Sequence, residues 1–322
     1  IKEFNFLVKK TKLDQSKGSP FKLKNYQRVI AILSKVEKIE STVMALEYLR
    51  QGGMGLKKET PPNWSSKILK NIDKIITEGS LGLERDPKLE VLELLGKIPE
   101  VGPSKANALY EQGIRSLEDL QQKLDLLNRK QLIGLRYMSD LGKKIPRDEM
   151  TVWGNSLKHL VKGIVGDSNE IKHMDLVGSY RRGKLESGDI DFYLALEKPE
   201  KGLMTKIYDK LVDEGYMKPD DWFSKGSKKL MGVAKLGLEN QARHLDIFIY
   251  PVEEYPFALL YATGSGEFNV KMRNYARTRG YSLSDRGLLV GNNKGDLVSK
   301  EKYQEVIGKP VVECERDIFE FL

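Results

Sequence analysis

The run Val177-Gly-Ser-Tyr-Arg-Arg-Gly-Lys-Leu-Glu-Ser-Gly-Asp-Ile-Asp-Phe-Tyr-Leu-Ala-Leu196 constrains this chain more than any other stretch. A short basic turn framed by glycines leads into two carboxylates, Asp189 and Asp191. The apolar segment from Ile190 to Leu196 then reads as a β-strand. Residues two apart on a strand share a face, so the two carboxylates are expected to converge on one spot. Like charges that close raise each other's pKa unless a cation lies between them. Hard oxygen ligands that leave room for water suit Mg²⁺. The turn offers backbone N–H groups, Ser179 and two arginines, a set that suits a polyphosphate. A bare Asp-x-Asp is most often a solvated strand edge. The Gly-Ser, Arg-Arg and Ser-Gly set around this one points instead to chemistry.

At 322 residues the chain is too long for one ordinary core, and two or more domains are expected. With 31% charged and 40% hydrophobic residues it reads as globular. No apolar run reaches the ~20 residues needed to span a bilayer, so no membrane association is expected. One cysteine excludes an internal disulfide and fits a reducing compartment, and with only three histidines no zinc site is expected. The chain opens on Ile1, which leaves room for a removed leader. Of the net charge of +8, residues 1–84 carry +7, with 16 Lys and Arg against 9 Asp and Glu. A basic N-terminal module on a nearly neutral body points to a polyanion, most simply nucleic acid. A lysine-rich solvated surface is the plainer alternative.

Along the chain, the first twenty residues end in Lys17-Gly-Ser-Pro20 and read as a tail or short helix. Helical spacing follows from Lys24, from Val43 to Leu49 and from about Ser65, separated by Gln51-Gly-Gly-Met-Gly55 and Thr60-Pro-Pro-Asn63. Residues 87–149 are helical again. Ile98-Pro-Glu-Val-Gly-Pro-Ser104 followed by Lys105 to Glu111 reads as helix–hairpin–helix, whose exposed N–H groups bind a DNA phosphate without reading sequence. The Gly102 N–H and Lys105 are the expected contacts; a simple helical hairpin is the alternative. Beyond Met150, a helix from Val152 to Val165 precedes strands near Lys172–Val177, Asp189–Leu196, Gly232–Leu238 and His244–Tyr250. The Tyr261 to Arg279 segment reads as helical and the end as a short mixed subdomain. The pattern is α+β.

Gly178-Ser179 with Gly188-Asp189-Ile190-Asp191 closely resembles the nucleotidyltransferase motif of family X DNA polymerases, and Tyr180-Arg-Arg-Gly183 narrows it to the polymerase beta-like enzymes. Ile145-Pro-Arg-Asp-Glu-Met150, Phe223-Ser-Lys-Gly226, Leu230-Met-Gly-Val233, Tyr261-Ala-Thr-Gly-Ser265, Phe268-Asn-Val-Lys-Met-Arg273 and Glu315-Arg-Asp-Ile-Phe319 follow in the expected order. The resemblance covers residue 85 to the end well and residues 1–84 weakly. It implies a nucleotidyltransferase palm behind helical lyase-like and helix–hairpin–helix domains. The expected division is 1–84, 85–149, 150–255 and 256–322, the last being the subdomain around the nascent base pair.

A third carboxylate, Asp246, sits in Arg243-His-Leu-Asp-Ile-Phe-Ile249 between alternating apolar residues and should lie on a strand beside the first two. Three such groups can hold two Mg²⁺ ions ~3.5–4 Å apart. The resemblance implies that Asp189 and Asp191 bridge both ions, with Mn²⁺ as a substitute, and that Asp246 ligates one and takes the proton of a primer 3′-hydroxyl. It further implies that Arg147, Ser179, Arg182, Ser187 and Gly188 meet the triphosphate of a dNTP. Tyr261, Thr263 and Gly264 would flank its sugar and Asn269 its base. Gapped or primer–template DNA would meet Lys22, Tyr26, Lys67, Gly102, Lys105, Lys229 and Arg273, and carbonyls of Gly96, Ile98 and Val101 would hold Na⁺ or K⁺.

Four departures stand out. Glu100 occupies the family's usual first hairpin glycine, Ala262 replaces half of an aromatic pair, Val270 replaces a basic residue, and Asn71 falls where a Schiff-base lysine should stand. Lys70, one residue away, is the candidate displaced nucleophile; the alternative is a binding module without lyase activity. The expectation is a monomeric DNA-directed DNA polymerase filling short gaps in base-excision repair, since 322 residues leave no room for a proofreading nuclease. It would be intracellular: nuclear in a eukaryotic host, otherwise in the cytoplasm or a virion. A template-independent nucleotidyltransferase and a non-catalytic DNA-end binder are the competing readings.

Overall fold

The computed structural model describes residues 1–13, 19–59, 63–83, 86–166, 171–198, 201–237, 240–291 and 295–322. Parts of four expected features lie outside the described residues: residues 14–18 of the tail, 60–62 before the fourth helix, the 84/85 domain junction and Leu238. Backbone contacts divide the chain into two units, residues 1–126 and 127–322.

In the first unit, α1 (Lys2–Leu13), α2 (Ser19–Leu33), α3 (Thr42–Gln51) and α4 (Lys67–Glu78) enclose Phe4, Tyr26, Val29, Leu49, Trp64 and Leu69. The opening segment is thus a helix bedded through Phe4, not a tail, and the second helix starts five residues before Lys24. Helix α4 is strongly amphipathic. Ile68, Leu69 and Ile72 are buried while Lys67, Lys70 and Lys74 stay exposed, and Ser66 caps its start by accepting from the Ile68 N–H. The unit continues with α5 (Pro87–Leu95), α6 (Pro103–Glu111), α7 (Leu117–Gln121) and a 3₁₀ turn at Leu124–Leu126. Pro87 and Pro103 both stand in the first helical turn, where the missing N–H costs nothing. In the hairpin between α5 and α6, Glu100 has φ +66°, the one non-glycine positive φ among the described residues.

The second unit begins with α8 (Arg129–Leu141), which groups with the sheet and not with the hairpin. Its side chains explain why. Arg136 and Tyr137 both bond the buried Asp221 carboxylate, Arg129 donates to the carbonyls of Asp220 and Trp222, and Asp140 accepts from the Ala242 N–H. Next come β1 (Ile145–Pro146), α9 (Arg147–Val165), β2 (Ile171–Leu176), α10 (Gly178–Arg181), β3 (Glu186–Ser187), β4 (Ile190–Leu196) and α11 (Leu203–Asp213). Strands β5 (Trp222–Lys225), β6 (Lys229–Ala234) and β7 (Arg243–Pro251) complete a five-stranded sheet in the order β2-β4-β7-β6-β5. Only β4 and β7 pair in parallel. Ile190, Phe192, Leu194, Leu245, Ile247 and Ile249 pack on α9 and α11, while Tyr193, Ala195 and Tyr250 face the other way. The α+β expectation holds. Helix α9 starts at Arg147 rather than Val152, β6 begins three residues before Gly232, and β5 was not expected as a strand.

The end of the chain forms α12 (Tyr255–Thr263), α13 (Gly266–Thr278), a hairpin of β8 (Tyr281–Leu283) and β9 (Leu288–Val290), α14 (Lys300–Ile307) and α15 (Glu315–Phe321). The helical Tyr261–Arg279 segment is therefore two helices. Gly264 leaves α12 with φ +63°, and the Ser265 hydroxyl caps α13 by accepting from the Phe268 N–H.

Candidate active site

Asp191 on β4 and Asp246 on β7 are direct register partners across the parallel pair, on the sheet face turned away from α9 and α11. Asp189 lies just ahead of β4, exposed, rather than on the strand itself. Burial first, then the charges of Asp189 and Asp246, raises the Asp191 carboxyl to about 7, with His244 and Arg182 pulling the other way. Gly178, at φ +60°, lies directly over this carboxylate: a Cβ there would stand 2.5 Å from Asp191 Oδ2. The Gly-Ser motif is thus a steric requirement of the acidic site.

Asp246 is only 8% exposed, and its Oδ1 is buried without a hydrogen-bond partner. His244 Nε2 is 3.1 Å from Asp246 Oδ1, an ion-pair contact. Burial presses the His244 pKa down, but Asp246, with Asp189 and Asp191 behind it, outweighs that and raises it. Among the described residues no three acidic, histidine or cysteine side chains form a ready-made metal cage. An open acidic edge still fits a hard divalent cation that takes one or two carboxylates and completes its shell with water and phosphate oxygens. The mutual repulsion at Asp191 and the orphan oxygen of Asp246 both favour such an ion.

The turn after β2 is held from several sides. Ser179 Oγ and Ser187 Oγ are 2.9 Å apart. Arg182 donates to the Thr263 carbonyl, and Arg181 donates to Thr263 Oγ1 (2.6 Å) and to both Glu315 oxygens (2.9 and 2.6 Å). Arg147 donates to the carbonyls of Tyr180 and Lys184 and lies over the Tyr180 ring, so its guanidinium braces the turn. These bonds lie beside the turn that the expected phosphate contact of Arg147 would also serve. Lys144 was missed: its Nζ is 3.5 Å from where a Gly188 Cβ would stand. Pairing of β1 with β3 sets Ile145 opposite Ser187, which carries Lys144 to Gly188. No local sequence signal announces that two-residue pairing.

Tyr261, 42% exposed, has its carbonyl bonded by Asn269 Nδ2 (2.7 Å) and its ring 5.0 Å from the Arg273 guanidinium. Thr263 and Gly264 border the same place, next to Arg182. The structure thus gathers Asp189, Asp191, Asp246, Ser179, Arg182, Ser187 and Gly188 with the Tyr261–Asn269 wall in one unit. Lys229 opens β6, exposed. In the other unit, Lys22, Lys67 and Lys70 are exposed, whereas Tyr26 is 6% exposed and set edge-on against Phe4. Tyr26 is a core residue there, because its ring joins α2 to α1. Gly102 is exposed at the start of α6. Lys105 instead turns its ammonium to the Leu126 carbonyl, 2.5 Å away, where it caps the 3₁₀ turn. The Ile98 carbonyl accepts from the Val101 N–H (3.0 Å); Gly96 caps α5.

Three family models match in sequence: the fingers domain of DNA polymerase lambda over residues 93–142, the DNA polymerase beta palm over 144–252 and the DNA polymerase beta thumb over 258–322. Among similar proteins, DNA polymerase lambda of Arabidopsis thaliana is 27% identical over 312 residues, covering 92% of this chain and 55% of the relative. DNA polymerase lambda of Rattus norvegicus is 34% identical over 242 residues, covering 72% of this chain and 40% of the relative. The DNA-directed DNA/RNA polymerase mu of Homo sapiens is 25% identical over 304 residues, covering 84% and 59%. The chain thus spans about half the length of the relatives it matches. No helix among the described residues is long and apolar enough to cross a membrane. With fingers, palm and thumb matched in order over the fold described above, the chain belongs to the family X DNA polymerases.

Proposed function

We propose that this chain is a template-directed DNA polymerase that adds dNTPs to a primer 3′-hydroxyl in short gaps, as base-excision repair requires, with two Mg²⁺ ions (or Mn²⁺) at its acidic site. The observation that carries this reading is the register pairing of Asp191 with Asp246 beneath Gly178. When bound, the ions acidify the 3′-hydroxyl and offset charge on the triphosphate. Asp189, Asp191 and Asp246 hold them, and Asp246 accepts the hydroxyl proton. Ser179, Arg182, Ser187 and Gly188, joined by Lys144, hold the triphosphate through charge-assisted bonds. Tyr261, Thr263 and Gly264 flank the sugar, Asn269 reads the base edge, and Arg273 meets the templating strand. Lys229 and the Gly102 N–H take backbone phosphates, with Na⁺ or K⁺ at the carbonyls of Gly96, Ile98 and Val101. The setting is nuclear if the host is eukaryotic, as the named relatives are.

A second reading concerns the sugar. Ala262 stands where the resemblance implies an aromatic side chain, and the name of the mu relative includes RNA synthesis. We therefore extend the substrate to ribonucleotides, accepted with reduced discrimination. For the N-terminal unit we propose 5′-phosphate and gap binding through Lys22 and Lys67 without lyase chemistry, since Asn71 cannot form a Schiff base. Borohydride trapping on an incised abasic substrate tests this; a cross-link abolished by Lys70→Ala would overturn it.

Extension assays on gapped, primer–template and single-stranded DNA test the main reading. Templated incorporation, strongest on gaps and lost in Asp191→Ala, is expected. Untemplated extension would convert the reading to a terminal nucleotidyltransferase, and gap binding without incorporation to a non-catalytic binder.

A further inference from the structure

We propose that Tyr193, Tyr250 and Asp285 form a polar tie that positions the wall beside the incoming nucleotide and so sets how tightly a dNTP is held. The inference rests on the polymerase reading above and deepens it by naming residues that act on the nucleotide through that wall.

Tyr193 follows Asp191 by two residues on β4, and Phe248 and Tyr250 follow Asp246 by two and four on β7, so all three rings stand on the sheet face that carries the acidic site. They pack together, with the Tyr193 centroid 5.1 Å from that of Phe248 and 5.3 Å from that of Tyr250. Tyr193 and Tyr250 are both buried. Bare rings would fill this space, yet both carry hydroxyls and both hydroxyls are engaged. They share a hydrogen bond, and the Tyr250 hydroxyl donates to Asp285 Oδ2 at 3.3 Å. Asp285 lies in the turn between β8 and β9, which is closed on itself. Ser284 donates both its N–H and its Oγ to the Gly287 carbonyl, and the same Oγ accepts from the Arg286 N–H. Leu283 and Ser284, just ahead of Asp285, line a small cleft with Tyr261, Asn269 and Arg273, the side chains assigned above to the sugar, the base and the template. The tie therefore fixes one edge of that cleft to the two strands that bear Asp191 and Asp246. Apolar groups of the same shape could replace such bonded partners at little cost, so the bonds serve geometry more than stability.

The test uses the full chain, with steady-state incorporation of a correct dNTP on gapped DNA and hydrogen exchange of the backbone amides. Tyr250→Phe and Asp285→Ala each remove the bond while leaving the three rings in place. The expectation is a dNTP KM raised on the order of tenfold in each, as loss of a bond to a charged acceptor allows, with kcat little changed. The double variant should be no worse than either single one, because the same bond is lost only once. Amides of β8 and β9 should exchange faster in each variant while those of β4 hold. Asp285→Asn keeps an acceptor and should restore most of the lost affinity. Faster hairpin exchange at a wild-type KM would make the tie structural only. A raised KM with unchanged hairpin exchange, or effects that add in the double variant, would place the cause elsewhere. Each of these results overturns the proposal and leaves the polymerase reading intact, whereas a wild type that incorporates no dNTP overturns both.

Discussion

Replacing Gly178 with alanine should disable the acidic site without removing a single charge. The backbone there has φ +60°, a conformation that costs an L-residue about 1–2 kcal/mol. The new methyl would also stand 2.5 Å from Asp191 Oδ2 and 3.5 Å from its Cγ. Relaxing the closer contact to ordinary van der Waals separation moves the carboxylate by about 1 Å. A displacement of that size costs about 10²-fold in rate when a reacting centre depends on it. Gly183→Ala supplies the control: its φ is +77°, but a Cβ there meets nothing within 4 Å. Both variants should melt a few degrees lower, at about 2–4 °C per kcal/mol for a unit of this size. Single-turnover incorporation on gapped DNA should fall about 10²-fold in Gly178→Ala and stay near wild type in Gly183→Ala. Equal rates in the two variants would show that backbone strain, not the contact with Asp191, is all that Gly178 relieves.

Glu149→Gln removes the charged partner of Arg243, which is 4% exposed and otherwise only 3.5 and 3.4 Å from the carbonyls of Lys143 and Lys144. Because Glu149 is itself partly exposed, the loss should be about 2–3 kcal/mol, less than for breaking a fully buried pair, as denaturant unfolding would measure. Glu100→Gly relieves the positive φ and removes a negative charge from the hairpin, so stability should rise by up to about 1 kcal/mol and gapped-DNA affinity should rise with it; a filter-binding titration showing weaker binding would refute this. Ala262→Phe should raise discrimination against ribonucleotides by about 1–3 kcal/mol, read as the ratio of kcat/KM values. Burial raises the Asp317 carboxyl, but bonds from the Glu313 and Cys314 N–H groups and Lys309 lower it by more. Its folded pKa therefore lies below the unfolded one, and its stabilisation is present above the unfolded value and lost as pH falls through the folded value. Asp317→Asn should accordingly be less stable than wild type at neutral pH, with the gap closing in strong acid.

What could be read in advance followed from how each residue is buried. Strands β4 and β7 are covered on both faces, so their sequences are almost continuously apolar, and the carboxylates stand out as interruptions. Strand β6 opens on the exposed Lys229 after Lys228, and that charged run hid its start although Leu230 and Met231 follow directly. The place of α8 in the second unit depends on Asp221, some eighty residues downstream, and no local pattern encodes that. The bracing carbonyl contacts of Arg147 and the approach of Lys144 to Gly188 escaped notice for the same reason, because both arise only after β1 meets β3.

The parallel junction of β4 and β7 also has a consequence for how activity returns after denaturation. Residues 197–242, including α11 and the β5–β6 hairpin, intervene in the chain between the two strands, so a long loop must close before they pair side by side. Non-local parallel pairings form late, because their loop-closure entropy is met before any contact compensates it. Helical signals from α9 and α11 should therefore recover first, while the first productive turnover waits for the last strand to dock. Regained nucleotide incorporation is then a clock for completion of this sheet.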